Sequence, residues 1–254
     1  MPSPRALTDH LDALLEIDDF RDYGPNGLQV PANADVQTVV TGVSAHVDLF
    51  SAAAQEGADL IVVHHGLFWR GQPLEVTAPM YRRLRLLFDH DMALAAYHLP
   101  LDAHPRHGNN ALLAEGLGGL RPRPFAASEG RDIGVRVEFD GDGLGLAELT
   151  DRVRDLVGGR EPLVVDGGPE RIRSLGIVSG GGTDYVHEAV ALGLDAFLTG
   201  EPAERAFGIA RDEGIHFLAA GHHATETFGV RRLGDLLADE FGVRHVFVDV
   251  PNPI

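Results

Sequence analysis

Apolar and polar positions along this chain alternate on two periods. Leu7, Leu11, Leu14 and Leu15 recur at helical spacing and predict an amphipathic helix over 5–17. Turn formers from Gly24 to Pro31 break it. Short apolar runs then predict strands over 37–43, 59–63 and 92–97, with helices over 48–55 and 79–89 between them and a helix beginning at 109–115. Ile61-Val62-Val63 lies in a nearly continuous run, the pattern of a strand buried on both faces.

Residues 121–132, with Pro122 and Pro124, read as a boundary or exposed connection, followed by an alternating strand over 133–139 and the turn Asp140-Gly141-Asp142-Gly143. After a helix at 146–156 the rhythm resumes. Strands are predicted at 175–179, 196–198, 215–218 and 244–250, and helices at 184–192, 203–212 and 225–241. This β–α–β alternation predicts an α/β fold with a mainly parallel sheet. The halves share a rhythm that allows an internal duplication, although no clean sequence repeat is visible.

The chain has 254 residues, 44% of them hydrophobic, enough for a substantial core. It has no cysteine, which excludes disulfides, zinc–thiolate sites, iron–sulfur clusters and thiol nucleophiles. Any metal must be held by nitrogen and oxygen. No apolar run approaches the ~20 residues of a membrane span, and the first residues lack a signal-peptide pattern, so a cytoplasmic protein is expected. The net charge is −17, and all 21 basic residues are arginine. Such a surface disfavours nonspecific binding to nucleic acid or anionic membrane. It fits a halophile-like adaptation to salt, or alternatively a cationic partner.

Three apolar runs end in metal-binding side chains: His64-His65 after one, His98 and Asp102 after another, and His222-His223 with Glu226 after a third. In open α/β sheets ligands bind beyond the carboxyl ends of strands. His222 and Glu226, four apart at a helix start, can reach the same side. Adjacent histidines in a regular strand point to opposite faces, so His64 and His65 converge only where the chain has left strand geometry. A lone histidine after a strand is ordinarily a hydrogen-bonded surface residue. Three such groups at three strand ends point instead to a divalent-metal site. His104 and His107 read equally as second-rank neighbours of that site or plain surface. His10, His90, His187, His216 and His245 read as surface or packing residues. The stretch Ser179-Gly180-Gly181-Gly182-Thr183-Asp184 follows a strand and precedes a helix. It is either a tight turn or a phosphate cradle without the lysine of a P-loop. Trp69 reads as core, interface or a wall beside the histidine pair.

His64-His65-Gly66-Leu67-Phe68-Trp69, His98-Leu99-Pro100-Leu101-Asp102-Ala103 and Gly221-His222-His223-Ala224-Thr225-Glu226 together resemble the signatures of the GTP cyclohydrolase I type 2 family. These are also called Nif-three-like dinuclear metal-centre proteins. Asn26-Gly27-Leu28-Gln29-Val30, Thr199-Gly200-Glu201 and Phe247-Val248-Asp249 fit in the same order, so the resemblance spans nearly the whole chain. It implies two similar, intertwined α/β lobes with mainly parallel sheets and a metal site in the cleft between them. The first lobe would be 1–125, carrying His64, His65 and Asp102. The second would be 126–254, its segment from about 215 returning His222 and Glu226 to the shared site. The resemblance implies two divalent ions (zinc, iron, manganese, cobalt or nickel) on His64, His65, Asp102, His222 and Glu226, with Glu226 as the bridge. It also implies ring-shaped hexamers. The chain departs from the family in Leu99-Pro100-Leu101, where Thr-Asn-Leu is common, and in His46, where many relatives carry an acid.

A carboxylate-bridged pair of metals about 3.5–4 Å apart can acidify a shared water and hold a hydroxide at neutral pH. The expected activity is therefore a metal-dependent hydrolase. The resemblance implies hydroxide attack on C8 of the guanine of GTP with release of formate, His98 or His223 moving protons. Another nucleotide or phosphoester would suit the same centre. The alternative is a noncatalytic metal-binding or regulatory ring, because fold and metals do not establish an enzyme.

Overall fold

Two stretches of the chain follow one strand plan. In the first, β1 (Gly27–Val30), β2 (Thr38–Ser44), β3 (Leu60–His65) and β4 (Ala93–Ala96) form a sheet in which β2, β3 and β4 run parallel and β1 lies antiparallel on β4. In the second, β7 (Leu163–Val165), β8 (Ser174–Val178), β9 (Ala196–Thr199) and β10 (His216–Ala219) do the same, β7 lying antiparallel on β10. The registers agree except at a bulge in β1 between Leu28 and Val30, which β7 lacks. Gly27 pairs with Ala96 and Leu163 with Ala219; Val39 pairs with Leu60 and Leu175 with Ala196. Position 27 thus maps to 163, 39 to 175 and 60 to 196, an ungapped offset of 136; across β4 and β10 it is 123, as 96 maps to 219.

The same polar scaffold stands in both copies. Asp59 Oδ2 accepts the backbone N–H groups of Gln37 and Thr38, and Asp195 Oδ2 those of Arg173 and Ser174. Each acid closes the start of one strand onto the next. Gly57 (φ +69°) and Gly193 (φ +67°) end the preceding helices in the left-handed region that glycine enters at least cost. The duplication that the rhythm allowed is therefore present, written in backbone pairing rather than in side chains.

The structure, a computed structural model, describes all residues from Met1 to Ile254. It divides into a unit of Met1–Leu101 with Gly229–Pro251, and a unit of Asp102–Phe228 with Asn252–Ile254. The first unit opens with the helix Pro4–Leu15, started by Ser3, whose Oγ accepts the N–H of Ala6 at 3.2 Å, with Leu7, Leu11 and Leu15 buried. Its sheet has the order β1-β4-β3-β2-β11, where β11 (Arg244–Phe247) adds a parallel edge to β2. Leu60 and Val62 of β3 pack with Leu7, Leu11, Val230, Leu233 and Leu237. Ile61 and Val63 face the other way, against Leu49, Phe50 and Leu87. The strand is buried on both faces, as its continuous apolar run requires.

The second unit adds β5 (Leu120–Ser128) and β6 (Arg131–Glu138) to give the order β5-β6-β8-β9-β10-β7. Val135, Val137, Leu175, Ile177, Leu198 and Leu218 pack there with Leu113, Leu149 and Val153. Residues 121–132, which read as a connection, form most of the β5–β6 hairpin. Pro122 and Pro124 disguise β5. Proline has no N–H to give, and it is tolerated here because β5 is an edge strand whose first five residues are exposed. Asp102 falls in the second unit, while 229–251 returns to the first because the apolar stripe of the helix Thr227–Phe241 joins that core. No helix is long and apolar enough to cross a membrane.

Candidate metal centre

In the first unit the β3–β4 ladder ends at Val63 and Ala96, and the chain beyond it carries three imidazoles. His64, His65 and His98 each offer a ligand atom, all within 4.8 Å of one another. Their ring centroids are 4.8 Å (His64–His65), 5.0 Å (His64–His98) and 5.6 Å (His65–His98) apart. The adjacent pair therefore converges. His65 is still registered with Ser44 on the β2 side, but β4 has already ended, which releases both rings from strict alternation.

Each ring is held by its Nδ1. That of fully buried His64 lies 2.8 Å from the Tyr97 carbonyl. A carbonyl only accepts, so Nδ1 carries the hydrogen and Nε2 the lone pair. His65 Nδ1 lies 3.0 Å from Ser44 Oγ, and His98 Nδ1 2.7 Å from Asp22 Oδ1. Asp22 is a hub. It also accepts the N–H of Tyr23, the N–H of Leu99 and the Asn26 side-chain amide, while Asn26 accepts the N–H of His98. Burial would raise the Asp22 carboxyl, but the bonds from His98, Asn26 and Tyr23 hold it below the usual range. A carboxylate behind an imidazole fixes its tautomer and orientation, the usual support of a metal-ligating or proton-transferring histidine.

In the second unit Asp102, His222 and Glu226 are supported in the same manner. Asp102 is buried, and its Oδ1 accepts both Asn109 Nδ2 at 2.8 Å and Ser179 Oγ at 3.0 Å. His222 lies between two carboxylates, with Nδ1 2.5 Å from Glu201 Oε1 and Nε2 3.2 Å from Glu226 Oε2. Burial alone would lower its pKa; Glu226 and Glu201 override this and raise it to about 9. Glu226 is buried and stands at a joint. The short helix His222–Thr225 stops before it and Thr227–Phe241 starts after it, where a single helix from 225 was expected. Gly180 makes room for it. A Cβ there would lie 2.1 Å from Glu226 Oε1 and 3.1 Å from His222 Nε2. Imidazole nitrogens and carboxylate oxygens, buried and held from behind, are the donors of a borderline divalent cation, so both groups fit a metal.

The glycine-rich stretch resolves as a tight turn. The N–H groups of Ser179, Gly180 and Gly182 are given to Asn110 Oδ1, Thr225 Oγ1 and Thr199 Oγ1. His223 is buried, and its N–H donates to the Ile254 carbonyl. His104 accepts the N–H groups of Arg106 and His107 and stacks on His107 at 4.8 Å; burial, then His107 and Arg106, lowers it to about 4. His46 caps the helix Val47–Gln55. Sequence reading missed Asp22 and Glu201 as orienting carboxylates. The only signal for Glu201 was its place in Thr199-Gly200-Glu201, and Asp22 had none.

A profile of the family described as Duf34/NIF3 (NGG1p interacting factor 3) matches residues 3–253. The chain belongs to that family. Among Duf34/NIF3 relatives it is 44% identical over 247 residues to the GTP cyclohydrolase 1 type 2 homolog of Pseudomonas aeruginosa, covering 97% of each chain. It is 42% identical over 243 residues to that of Yersinia pestis, covering 96% of each. Two solved structures are similar over 98% of both chains. One is the protein ybgI, described as of unknown function (TM-score 0.91, 39% identity), and the other is TTHA1606 from Thermus thermophilus (TM-score 0.88, 38% identity). The Duf34/NIF3 fold thus accounts for the whole chain.

Proposed function

We propose that this protein is a dinuclear metal-dependent hydrolase acting on a nucleotide. The observation that carries the reading is the support of donors beyond the strand ends: His64, His65 and His98 in the first unit, and His222 with Glu226 in the second, each histidine oriented through Nδ1. His64, His65, Asp102, His222 and Glu226 are the residues that would hold the ions in this reading. Two divalent ions would supply Lewis acidity and a water acidified toward neutrality.

The chain's own residues then provide the proton path. His98 Nε2 can accept a proton, and Asp22 stabilises the resulting imidazolium through Nδ1. His223, next to His222, is the second group assigned to proton transfer. Glu226 and Glu201 favour the protonated form of His222, and Glu201 orients the ring through Nδ1; an ion held there would need the neutral imidazole. The name shared by the curated relatives supports a GTP cyclohydrolase type of reaction, with attack on guanine C8 and loss of formate.

The test is elemental analysis of purified protein, followed by a nucleotide panel with formate and phosphate detection. Turnover abolished in both His65→Ala and Glu226→Ala supports the enzyme. Stoichiometric metal without turnover would replace it with a noncatalytic metal-binding protein, and absence of metal after reconstitution would remove both. In this reading the chain is a cytoplasmic homo-oligomer, a hexameric ring by its family, which light scattering measures directly. The charge of −17 is read as adaptation to salt, so stability should rise with salt concentration.

A further inference from the structure

Two loops of the first unit carry aromatic rings around the histidine trio. Trp69 stands at 87° to the His98 ring with centroids 5.1 Å apart, and lies 5.8 Å from His65. Tyr23 meets His98 at 6.1 Å and 63°. Phe68 and Tyr23 are 39% and 54% exposed, an unusual outlay of aromatic surface beside buried polar groups. The loops are laced together. Arg70 N–H donates to the Tyr23 carbonyl at 2.6 Å, Arg70 Nη2 to the Asp22 carbonyl at 2.9 Å, and Gly24 packs against the backbone of Phe68. Asp22, which orients His98, belongs to the same lacing. The Trp69 indole N–H is already given to the Gly66 carbonyl at 3.1 Å, so the ring offers a ligand its π-face rather than a donor.

We propose that Tyr23, Phe68 and Trp69 form a stacking subsite for the planar heteroaromatic ring of the substrate, next to His65 and His98. This rests on the nucleotide-hydrolase reading and names how its substrate is held. Aromatic stacking is tolerant of base identity, because every base has a π-face. The subsite therefore selects for a ring, while the choice among bases belongs to other contacts.

Trp69 is the only tryptophan, so its fluorescence reports on this subsite alone. The full chain, metal-loaded and chelator-treated, is titrated with guanosine 5′-monophosphate and with ribose 5-phosphate as the ring-less counterpart, exciting at the red edge of indole absorption. Saturable quenching by the nucleotide, none by the sugar phosphate, and affinity lower on the order of tenfold in Tyr23→Leu and Phe68→Leu are expected. These exposed side chains keep their apolar bulk in the variants, and an unchanged thermal midpoint confirms the fold. If the leucine variants do not fold, titration of the parent protein still decides. Absence of saturable quenching, equal response to ribose 5-phosphate, or unchanged affinity in the folded leucine variants overturns the subsite. Stoichiometric metal without quenching would sink the subsite and leave the metal reading; quenching without metal would do the reverse.

Discussion

Gly180 offers a sharp measurement of how tightly the second unit holds Glu226. Gly180 (φ +61°) and Gly193 (φ +67°) are both left-handed, so alanine at either position meets the same backbone penalty of about 1–2 kcal/mol. They differ in what a methyl group would touch. At Gly193 nothing lies within 4 Å; at Gly180 the methyl would sit 2.1 Å from Glu226 Oε1. The carboxylate would have to retreat by about 1 Å or more to reach ordinary van der Waals separation. Glu226 is buried, its partner His222 is held from behind by Glu201, and so the surroundings resist that movement. Overpacking of this kind adds about 1–3 kcal/mol.

Gly193→Ala should therefore cost about 1–2 kcal/mol and Gly180→Ala about 2–5 kcal/mol, read from urea midpoints in the presence of chelator. Metal affinity, measured by competition with a chromophoric chelator, should be unchanged in Gly193→Ala. In Gly180→Ala it should fall on the order of 10–100-fold, the scale on which disturbed partners of ligands act. Equal destabilisation by the two substitutions, or parental metal affinity in Gly180→Ala, would refute the reasoning that this glycine exists to seat Glu226.

Three further outcomes follow from the supporting residues. Glu201→Gln removes the charge behind His222 while keeping its shape, and metal affinity measured by the same competition should drop by about 10-fold or more. Asp22→Asn turns one of two accepting oxygens into an amide that faces either the donors of Leu99 and Asn26 or those of Tyr23 and His98, so a stability loss of about 1–3 kcal/mol is expected in urea titrations. Asp12 is raised above 3.8, chiefly by burial, with the Tyr97 hydroxyl drawing it back. The native state therefore binds this proton more tightly than the unfolded chain, and the ionised group opposes folding at neutral pH, relief coming as pH falls through the raised value. Asp12→Asn, which still accepts from Tyr97, should be the more stable protein at pH 7, with the difference closing near pH 3.8. A difference that widened in acid would contradict this sign.

Much of the frame is legible in the hydrophobic pattern, because buried parallel strands such as Ile61-Val62-Val63 leave little choice of residue. The histidines and acids at strand ends are equally legible, since their chemistry is uncommon in those positions. Three features are not. β5 hides behind Pro122 and Pro124, whose meaning depends on lying at a sheet edge that only tertiary structure defines. The duplication hides because only Asp48, Ala53, Gly57 and Asp59 recur, as Asp184, Ala189, Gly193 and Asp195, over 27–65 and 163–201. Backbone registry tolerates any side chain that fills the space. The orienting acids hide because a carboxylate behind an imidazole can come from any distant turn: Asp22 lies 76 residues from His98. The repeat explains one of them afterwards. Glu201 occupies the position of His65 in the other copy, so the same strand end supplies an imidazole in one unit and its support in the other.

The late arrival of β11 has a consequence for synthesis. The other strands of its sheet are complete by Ala96, yet the β2 edge is closed only by Arg244–Phe247, and Val230, Leu233 and Leu237 complete the core around Leu7 and Val62. Everything but three terminal residues of the second unit emerges before that segment. A chain made from its N-terminus thus carries an unpaired parallel edge and an uncovered apolar face while about half its length is still being added, a state open to wrong pairing. The middle of the polypeptide can settle first. The beginning must wait for the end.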